Sequence, residues 1–173
     1  MLFRSGPGPK QVVYQPGVFE TRDLASARSI ILTAEPGTTT DERWEYETAY
    51  LADDIGRLPG IEGNSCVLDY GCGIGRVSKA LIERLGCFVL GVDISAGMRE
   101  LATGYVRSER FSVCSPEMLD RMIAGGFRAT HACANWVLQH CAAPTIDIAR
   151  IESALVPRGS IYVLNTQIGR AHV

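Results

Sequence analysis

No apolar run in the chain approaches the roughly 18 residues that a bilayer-crossing helix needs. The first thirty residues also lack the basic, then apolar, then small-residue order of a secretion signal. Neither a membrane span nor export is expected, and the chain reads as cytoplasmic. No CxxC pair occurs among the six cysteines, Cys66, Cys72, Cys87, Cys114, Cys133 and Cys141. Four of them fall in or beside apolar strand-like runs, so they read as buried thiols rather than as a zinc site or a disulfide framework. Dense Lys/Arg clusters are missing too, and the formal charge is only -2, so nothing draws the chain toward nucleic acid or an anionic membrane. Internal repeats and low-complexity stretches are likewise lacking, and oligomeric state leaves no mark.

What is present is 173 residues, 46% hydrophobic and 21% charged, which suits one globular domain with a sizeable core. The ends read differently. Leu2-Phe3-Arg4-Ser5 and Ile168-Gly169-Arg170-Ala171-His172-Val173 match translated sequencing-library adapter. The adapter AGATCGGAAGAGCACACGTCTGA encodes Ile-Gly-Arg-Ala-His-Val and a stop in one frame, and the reverse complement of its start encodes Leu-Phe-Arg-Ser. Residues 1–5 and 168–173 are therefore set aside as adapter-derived tails, leaving 6–62 as an N-terminal segment and 63–167 as the main unit.

The segment from Gly6 to Thr40 is punctuated by Pro7, Pro9, Pro16 and Pro36, with a short helix expected over Ala25 to Ala34. From Asp41 an amphipathic helix begins, with acid in its first turn and Trp44, Leu51, Ile55 and Leu58 on one face, interrupted by Thr48 and stopped at Pro59-Gly60. After Gly63-Asn64, short apolar runs alternate with helix-period segments, the mark of a doubly wound α/β sheet. Strands are predicted over Cys66 to Tyr70, Cys87 to Val92, Phe111 to Cys114, Ala129 to Ala134 and Ser160 to Asn165. Helices are predicted from Arg76 to Leu85 (burying Val77, Ala80, Leu81 and Leu85), from a Ser95 cap to Tyr105, from Ser115-Pro116, and from Thr145 to Leu155 with a stop at Pro157-Arg158-Gly159.

Strand one runs into Gly71-x-Gly73-x-Gly75 and then a helix, so the backbone is expected to approach a ligand closely at a carboxyl strand end. The dinucleotide fingerprint G-x-G-x-x-G fails, because Arg76 stands where its third glycine belongs. Asp69, two residues before the first glycine, would repel a pyrophosphate but suits a ligand carrying an ammonium and a sulfonium. Asp93 ends strand two, 22 positions after Gly71, where a carboxylate can accept from both ribose hydroxyls. The ordinary alternative for both acids is a turn or cap residue.

The run Val67-Leu68-Asp69-Tyr70-Gly71-Cys72-Gly73-Ile74-Gly75 resembles motif I of class I S-adenosylmethionine-dependent methyltransferases, and Val89-Leu90-Gly91-Val92-Asp93-Ile94-Ser95 resembles their motif II. Asn135-Trp136-Val137-Leu138-Gln139-His140 is similar to the segment after strand four in small-molecule members, and Leu155-Val156-Pro157-Arg158-Gly159-Ser160 to the turn into strand five. The resemblance, from about Ser65 to Asn165, implies a Rossmann-like, mostly parallel, three-layer αβα fold with about five of the usual seven strands, so that 63–167 would be an incomplete domain and strand five an uncovered edge at Ile161 and Val163, prone to aggregation. It implies S-adenosylmethionine as cofactor, with Asp69, Tyr70, Gly71, Cys72, Gly73 and Gly75 around the methionine moiety, Asp93 on the ribose, and Ile94 and Met98 along the adenine. Glu117 is a candidate near the adenine amino group, and Asn135 a polar contact near the transferred methyl. Phe127-Arg128 departs from the family's Phe-Asp before strand four, which bears on a minor structural contact.

Methyl transfer from a sulfonium is an in-line displacement in which positioning supplies most of the catalysis, and a base is needed only when the acceptor must lose a proton early. His140 is the catalytic candidate, with His131 expected inside a strand. Trp136 is expected as wall of the substrate pocket, as is Trp44, whose helix either packs on the sheet or contributes to a lid. The chain lacks the Asn/Asp-Pro-Pro-Tyr signature of nucleic-acid amino methylation, which points to a small-molecule acceptor. A methyltransferase-like domain without catalysis and a nucleotide-dependent oxidoreductase are the competing readings.

Overall fold

The computed structural model describes residues 16–32 and 37–165. Both adapter-like tails, together with Gln167 and Ala34, lie outside the described residues. After a 3-10 turn at Pro16–Phe19 comes helix α1, Leu24–Ile31. Asp23 caps it by accepting from the Ser26 N–H at 2.8 Å. The helix expected over Ala25 to Ala34 thus starts one residue earlier and ends sooner, because Leu32 leaves in an extended conformation.

Helix α2, Thr40–Ile55, opens on a capping box: Thr39 Oγ1 accepts from the Glu42 N–H at 3.1 Å, and Glu42 Oε2 accepts from the Thr39 N–H at 2.9 Å. It buries Trp44, Leu51, Ala52 and Ile55. Thr48, the polar break in the apolar stripe, turns its hydroxyl back to donate to the Trp44 carbonyl. The helix stops at Gly56, not at Pro59-Gly60, and Leu58 packs into the same core from the following turn.

Strand β1 is Cys66–Tyr70, helix α3 Arg76–Leu85, strand β2 Phe88–Val92, helix α4 Ala96–Val106, strand β3 Phe111–Cys114, helix α5 Pro116–Ala124, strand β4 Ala129–Asn135, helix α6 Pro144–Ser153 and strand β5 Leu155–Leu164. Ser95 and Ser115 cap α4 and α5 as their sequence positions require. The sheet is parallel throughout, in the order β3-β2-β1-β4-β5. Among the described residues the far edge of β5 carries no further strand, and Val163 is exposed.

Two expectations fail in detail. Helix α3 buries Arg76 and Ser78 beside Val77 and Leu81, while Ala80 and Leu85 are half-buried, because its first turn faces a cavity lined by polar groups rather than the sheet alone. Pro157-Arg158-Gly159 does not end α6. The helix closes at Ser153, and the chain enters β5 at once, pairing Leu155 with Ala129 and then bulging until Ser160 meets His131.

Neighbouring strand residues point to opposite faces. Leu68, Leu90 and Ala132 meet Leu119 of α5 and Ile151 of α6 on one side. Val67, Val89 and Cys133 meet Leu51, Ile55 and Leu81 of α2 and α3 on the other. These are the two interfaces of an αβα sandwich. A third cluster, Ala27, Leu32, Trp44, Ile74 and Met98, fastens the N-terminal segment over the end of the sheet.

Candidate functional site

A cavity of about 600 Å³ opens at the carboxyl ends of β1, β2 and β4, with α1 and the residues before it forming one wall. The strand order runs outward from β1 to β2 and β3 on one side and from β4 to β5 on the other, so the β1–β4 junction is the switch point at which open α/β sheets bind ligands. The loop leaving β1 is held against β2: the N–H groups of Gly71 and Cys72 both donate to the Val92 carbonyl, at 2.7 and 3.0 Å. Gly71, Gly73 and Gly75 all have positive φ.

The two acids lie on either side of this loop and both line the cavity. Asp69 is 2% exposed. Its Oδ2 accepts from the Ser78 hydroxyl at 2.6 Å and its Oδ1 from the Cys133 thiol at 3.5 Å. Burial pushes its carboxyl above the usual carboxylate range. Asp93 Oδ2 accepts from the Gly73 N–H at 2.8 Å and Oδ1 from the Ser95 N–H at 2.9 Å, and burial raises its pKa as well. Each Asp93 oxygen retains a lone pair for a ligand.

Tyr70, Gly71, Cys72, Gly73, Ile94 and Met98 also line the cavity, and so do Asn135, Trp136 and His140 from the chain after β4. Neither Oδ1 nor Nδ2 of Asn135 has a hydrogen-bond partner, although both atoms are buried. Trp136 sits at φ 53, a left-handed conformation unusual for a bulky residue. His140 contacts the ring of Phe19 edge-on at 5.4 Å, and its Nε2 lies 3.1 Å from Gln139 Nε2. His131 is buried in β4, its ring nitrogens against Thr130 Oγ1 and the Pro59 carbonyl, so it takes no part.

Three predicted residues stand outside the lining. Gly75 serves packing, since a Cβ there would fall 2.5 Å from Val106 Cγ2. Glu117 is exposed, held low in pKa by the Ser115 side chain, and Pro116 takes the wall position beside it. Trp44 is 7% exposed in the third core cluster, with its indole N–H donating to the Tyr105 hydroxyl at 3.2 Å. It packs in that cluster and does not line the cavity.

The structure adds residues that periodicity did not mark as ligand-facing: Arg43, Arg76, Phe19, Asp147 and Arg150. Arg76 had a signal, since it is a charged residue at the position where a dinucleotide loop has its last glycine. The Tyr70 hydroxyl donates to Asp147 Oδ1 at 2.5 Å, while Arg150 Nη1 donates to the Tyr70 oxygen and to Asp147 Oδ1, both at 2.9 Å. Burial disfavours the thiolate form of the cysteines nearest the cavity, raising Cys72 and Cys133 well above the ordinary thiol and Cys141 to about 12. Among the described residues, no three His, Cys, Asp or Glu side chains gather closely enough to hold a metal ion, and no helix is long and apolar enough to cross a membrane.

Among proteins of curated function none matches the chain. Solved structures share its fold. One is the complex of the Trm112 methyltransferase activator of Haloferax volcanii with its methyltransferase, at 27% identity, TM-score 0.58, and 71% of this chain against 52% of that one. A second is the amino pentose methyltransferase CalS10 of Micromonospora echinaspora, at 21% identity, TM-score 0.56, and 75% against 52%. A third is the [4+2]-cyclase SpnF, at 18% identity, TM-score 0.61, and 80% against 52%. The chain therefore spans about half the length of these structures. A sequence profile of the methyltransferase domain matches residues 67–159, from the second residue of β1 to the bulge of β5 and across more than half of the chain, so the chain belongs to the methyltransferase domain family.

Proposed function

We propose that the cavity binds S-adenosylmethionine and that the protein directs its methyl group to a small-molecule acceptor. The observation that carries this reading is the pair of carboxylates, buried Asp69 and half-buried Asp93, flanking one glycine loop in one cavity. Two acids are poorly matched to a pyrophosphate and well matched to an ammonium, a sulfonium and a ribose. The volume falls within the ~300–1,000 Å³ of small-ligand pockets, and the orphaned Asn135 carboxamide leaves polar capacity for a ligand to fill.

On this reading Asp69 and the loop from Gly71 to Gly73 hold the methionine moiety, and Asp93 the ribose hydroxyls. Ile94 and Met98 cover the adenine, joined by Pro116 where Glu117 had been the candidate. Asn135 contacts the reacting end and Trp136 walls the acceptor. When bound, S-adenosylmethionine supplies a methyl group on a good leaving group, so the side chains mainly hold two reactants in line and exclude water. His140, steadied by Phe19 and Gln139, orients the acceptor or takes its proton. The His140→Asn variant separates these roles: loss of a base costs roughly 10²- to 10⁴-fold in turnover and alters the pH profile, whereas loss of an orienting contact acts mainly on KM.

Titration calorimetry with S-adenosylmethionine and with NADH tests the cofactor. Saturable binding of the sulfonium compound without NADH binding is the expected result, and the reverse overturns the reading in favour of an oxidoreductase. Cofactor binding with no methylated product from any acceptor would favour a non-catalytic binding domain.

A further inference from the structure

Arg76 and Trp136 meet on the wall of the cavity, with the guanidinium 5.8 Å from the centre of the indole. The same guanidinium lies 5.1 Å from the ring centre of Trp44. The Arg76 side chain is 4% exposed, and Glu47 is its counter-charge, with Oε2 facing Nη1 at 3.9 Å. The other Glu47 oxygen accepts from Arg43 Nε at 2.8 Å. Helix α2 thus supplies both Trp44 and Glu47, and together they hold a desolvated cation against Trp136.

Trp136 is fixed as well. It sits at φ 53, and its N–H donates to the Leu164 carbonyl at the end of β5, at 2.6 Å. A bulky residue keeps a left-handed conformation only where its surroundings over-determine it. The indole is therefore a preset wall rather than an adaptable one.

An indole wall ordinarily suits a cationic ligand, because the negative face of the ring attracts an ammonium. Here the cation is built into the protein. A second positive charge brought to the Trp136 ring meets the like charge of Arg76 where little water screens it. No acid among the described lining residues is left over to offset that repulsion. Asp147 is committed to Arg150 at 2.9 Å and to the Tyr70 hydroxyl, and Asp69 and Asp93 serve the cofactor in the reading above. Phe19, Ile30 and Ile31 add apolar surface to the same cavity.

We infer that the methyl acceptor is a neutral or anionic planar group of the phenol class, stacked on Trp136, and that Arg76 is the residue that turns cationic amines away. At a phenol the oxygen lone pair forms the new O–C bond, the S–C bond pair stays on sulfur, and the hydroxyl proton leaves to His140 or to water. The inference rests on the cofactor reading and narrows its small-molecule acceptor to one charge class.

Fluorine NMR on the full chain tests it. Labelling with fluorotryptophan gives one signal for each of the two tryptophans, Trp44 and Trp136, and Trp136→Phe assigns them. Saturation with S-adenosylhomocysteine is first established by calorimetry. The probes para-ethylphenol, para-hydroxyphenylpropionate and tyramine are then titrated, since they share a ring and differ chiefly in charge. The first two should move the Trp136 signal saturably, with tyramine roughly three- to thirtyfold weaker, the span of one cation–π contact refused. Arg76→Met leaves Glu47 without its cation and should reverse the order in favour of tyramine. Should that variant fail to fold, Arg76→Met with Glu47→Gln leaves neither charge and should erase the preference. Tyramine binding as well as the phenols, a preference unchanged in the variants, or no shift of Trp136 with any probe overturns the inference alone. No binding of S-adenosylhomocysteine removes the cofactor reading and the inference with it.

Discussion

The carbonyl oxygen of Thr21 occupies the space above Gly97, where a β-carbon would lie only 1.8 Å from it. Thr21 is buried and belongs to the segment that leads into α1, whose Ile30, Ile31 and Leu32 line the cavity. Gly97→Ala must therefore push this wall away. The cost of such overpacking is ~1–3 kcal/mol, and it falls on a segment outside the sheet. Expected is a several-fold weaker affinity for S-adenosylhomocysteine with little change in melting temperature. Unchanged affinity would mean that the wall shifts without consequence for the ligand.

Asp69→Asn and Asp93→Asn should move stability in opposite directions. Burial raises the folded pKa of Asp69, so its contribution to stability is fully present below the unfolded carboxylate's pKa and is lost as pH rises through the folded value. Asparagine removes that loss: the melting temperature at pH 7 should rise, the gain should shrink toward pH 4, and cofactor affinity should fall.

Asp93 is also raised by burial, but both of its oxygens accept backbone N–H groups. An amide nitrogen must then face one of those donors, leaving it unsatisfied at a cost of ~1–3 kcal/mol. Denaturant unfolding of Asp93→Asn at pH 7 should show that loss. A stabilised Asp93→Asn would mean the loop turns to avoid the clash.

Gly71 combines φ +77 with contact to the turn after β4, where a β-carbon would sit 2.3 Å from Val137 Cγ2. Gly71→Ala should be severely destabilised. Adding Val137→Gly, which removes the β-carbon 2.5 Å away as well as both methyls, should recover the steric share and leave the left-handed backbone cost of ~1–2 kcal/mol. Full recovery in the double variant would show that the backbone conformation costs alanine nothing.

Tyr70, Asp147 and Arg150 link β1 to α6 along the cavity wall. Tyr70→Phe leaves the Arg150–Asp147 contact in place and should cost ~1 kcal/mol, whereas Arg150→Met strips Asp147 of its cation and should cost ~2 kcal/mol or more. Guanidinium denaturation gives the comparison. The reverse order would place the weight of the network on the tyrosine hydroxyl.

The cofactor loop was legible because its message is contiguous. A strand that ends in an acid, glycines spaced for a turn and a helix that follows are local backbone demands, as are the serine caps of α4 and α5. The start of β5 was not legible, because Pro157 and Gly159 are turn formers in isolation, and pairing with β4 on both sides of the bulge holds them in the strand. Trp44 illustrates the same limit: its helical spacing marks it as apolar-facing, but whether that face meets a ligand or Tyr105 depends on how α4 packs.

The sequence by itself determined the αβα alternation, the placement of Asp69 and Asp93 at strand ends and the departure of the loop from the dinucleotide spacing, since periodicity and turn chemistry act over a few residues. Tertiary structure alone decided that Arg76 is enclosed between Trp44 and Trp136 with Glu47 as its counter-charge, that Phe19 meets His140 and that Thr21 closes over Gly97. Those neighbours are far apart along the chain, and packing density rather than local conformation selects them.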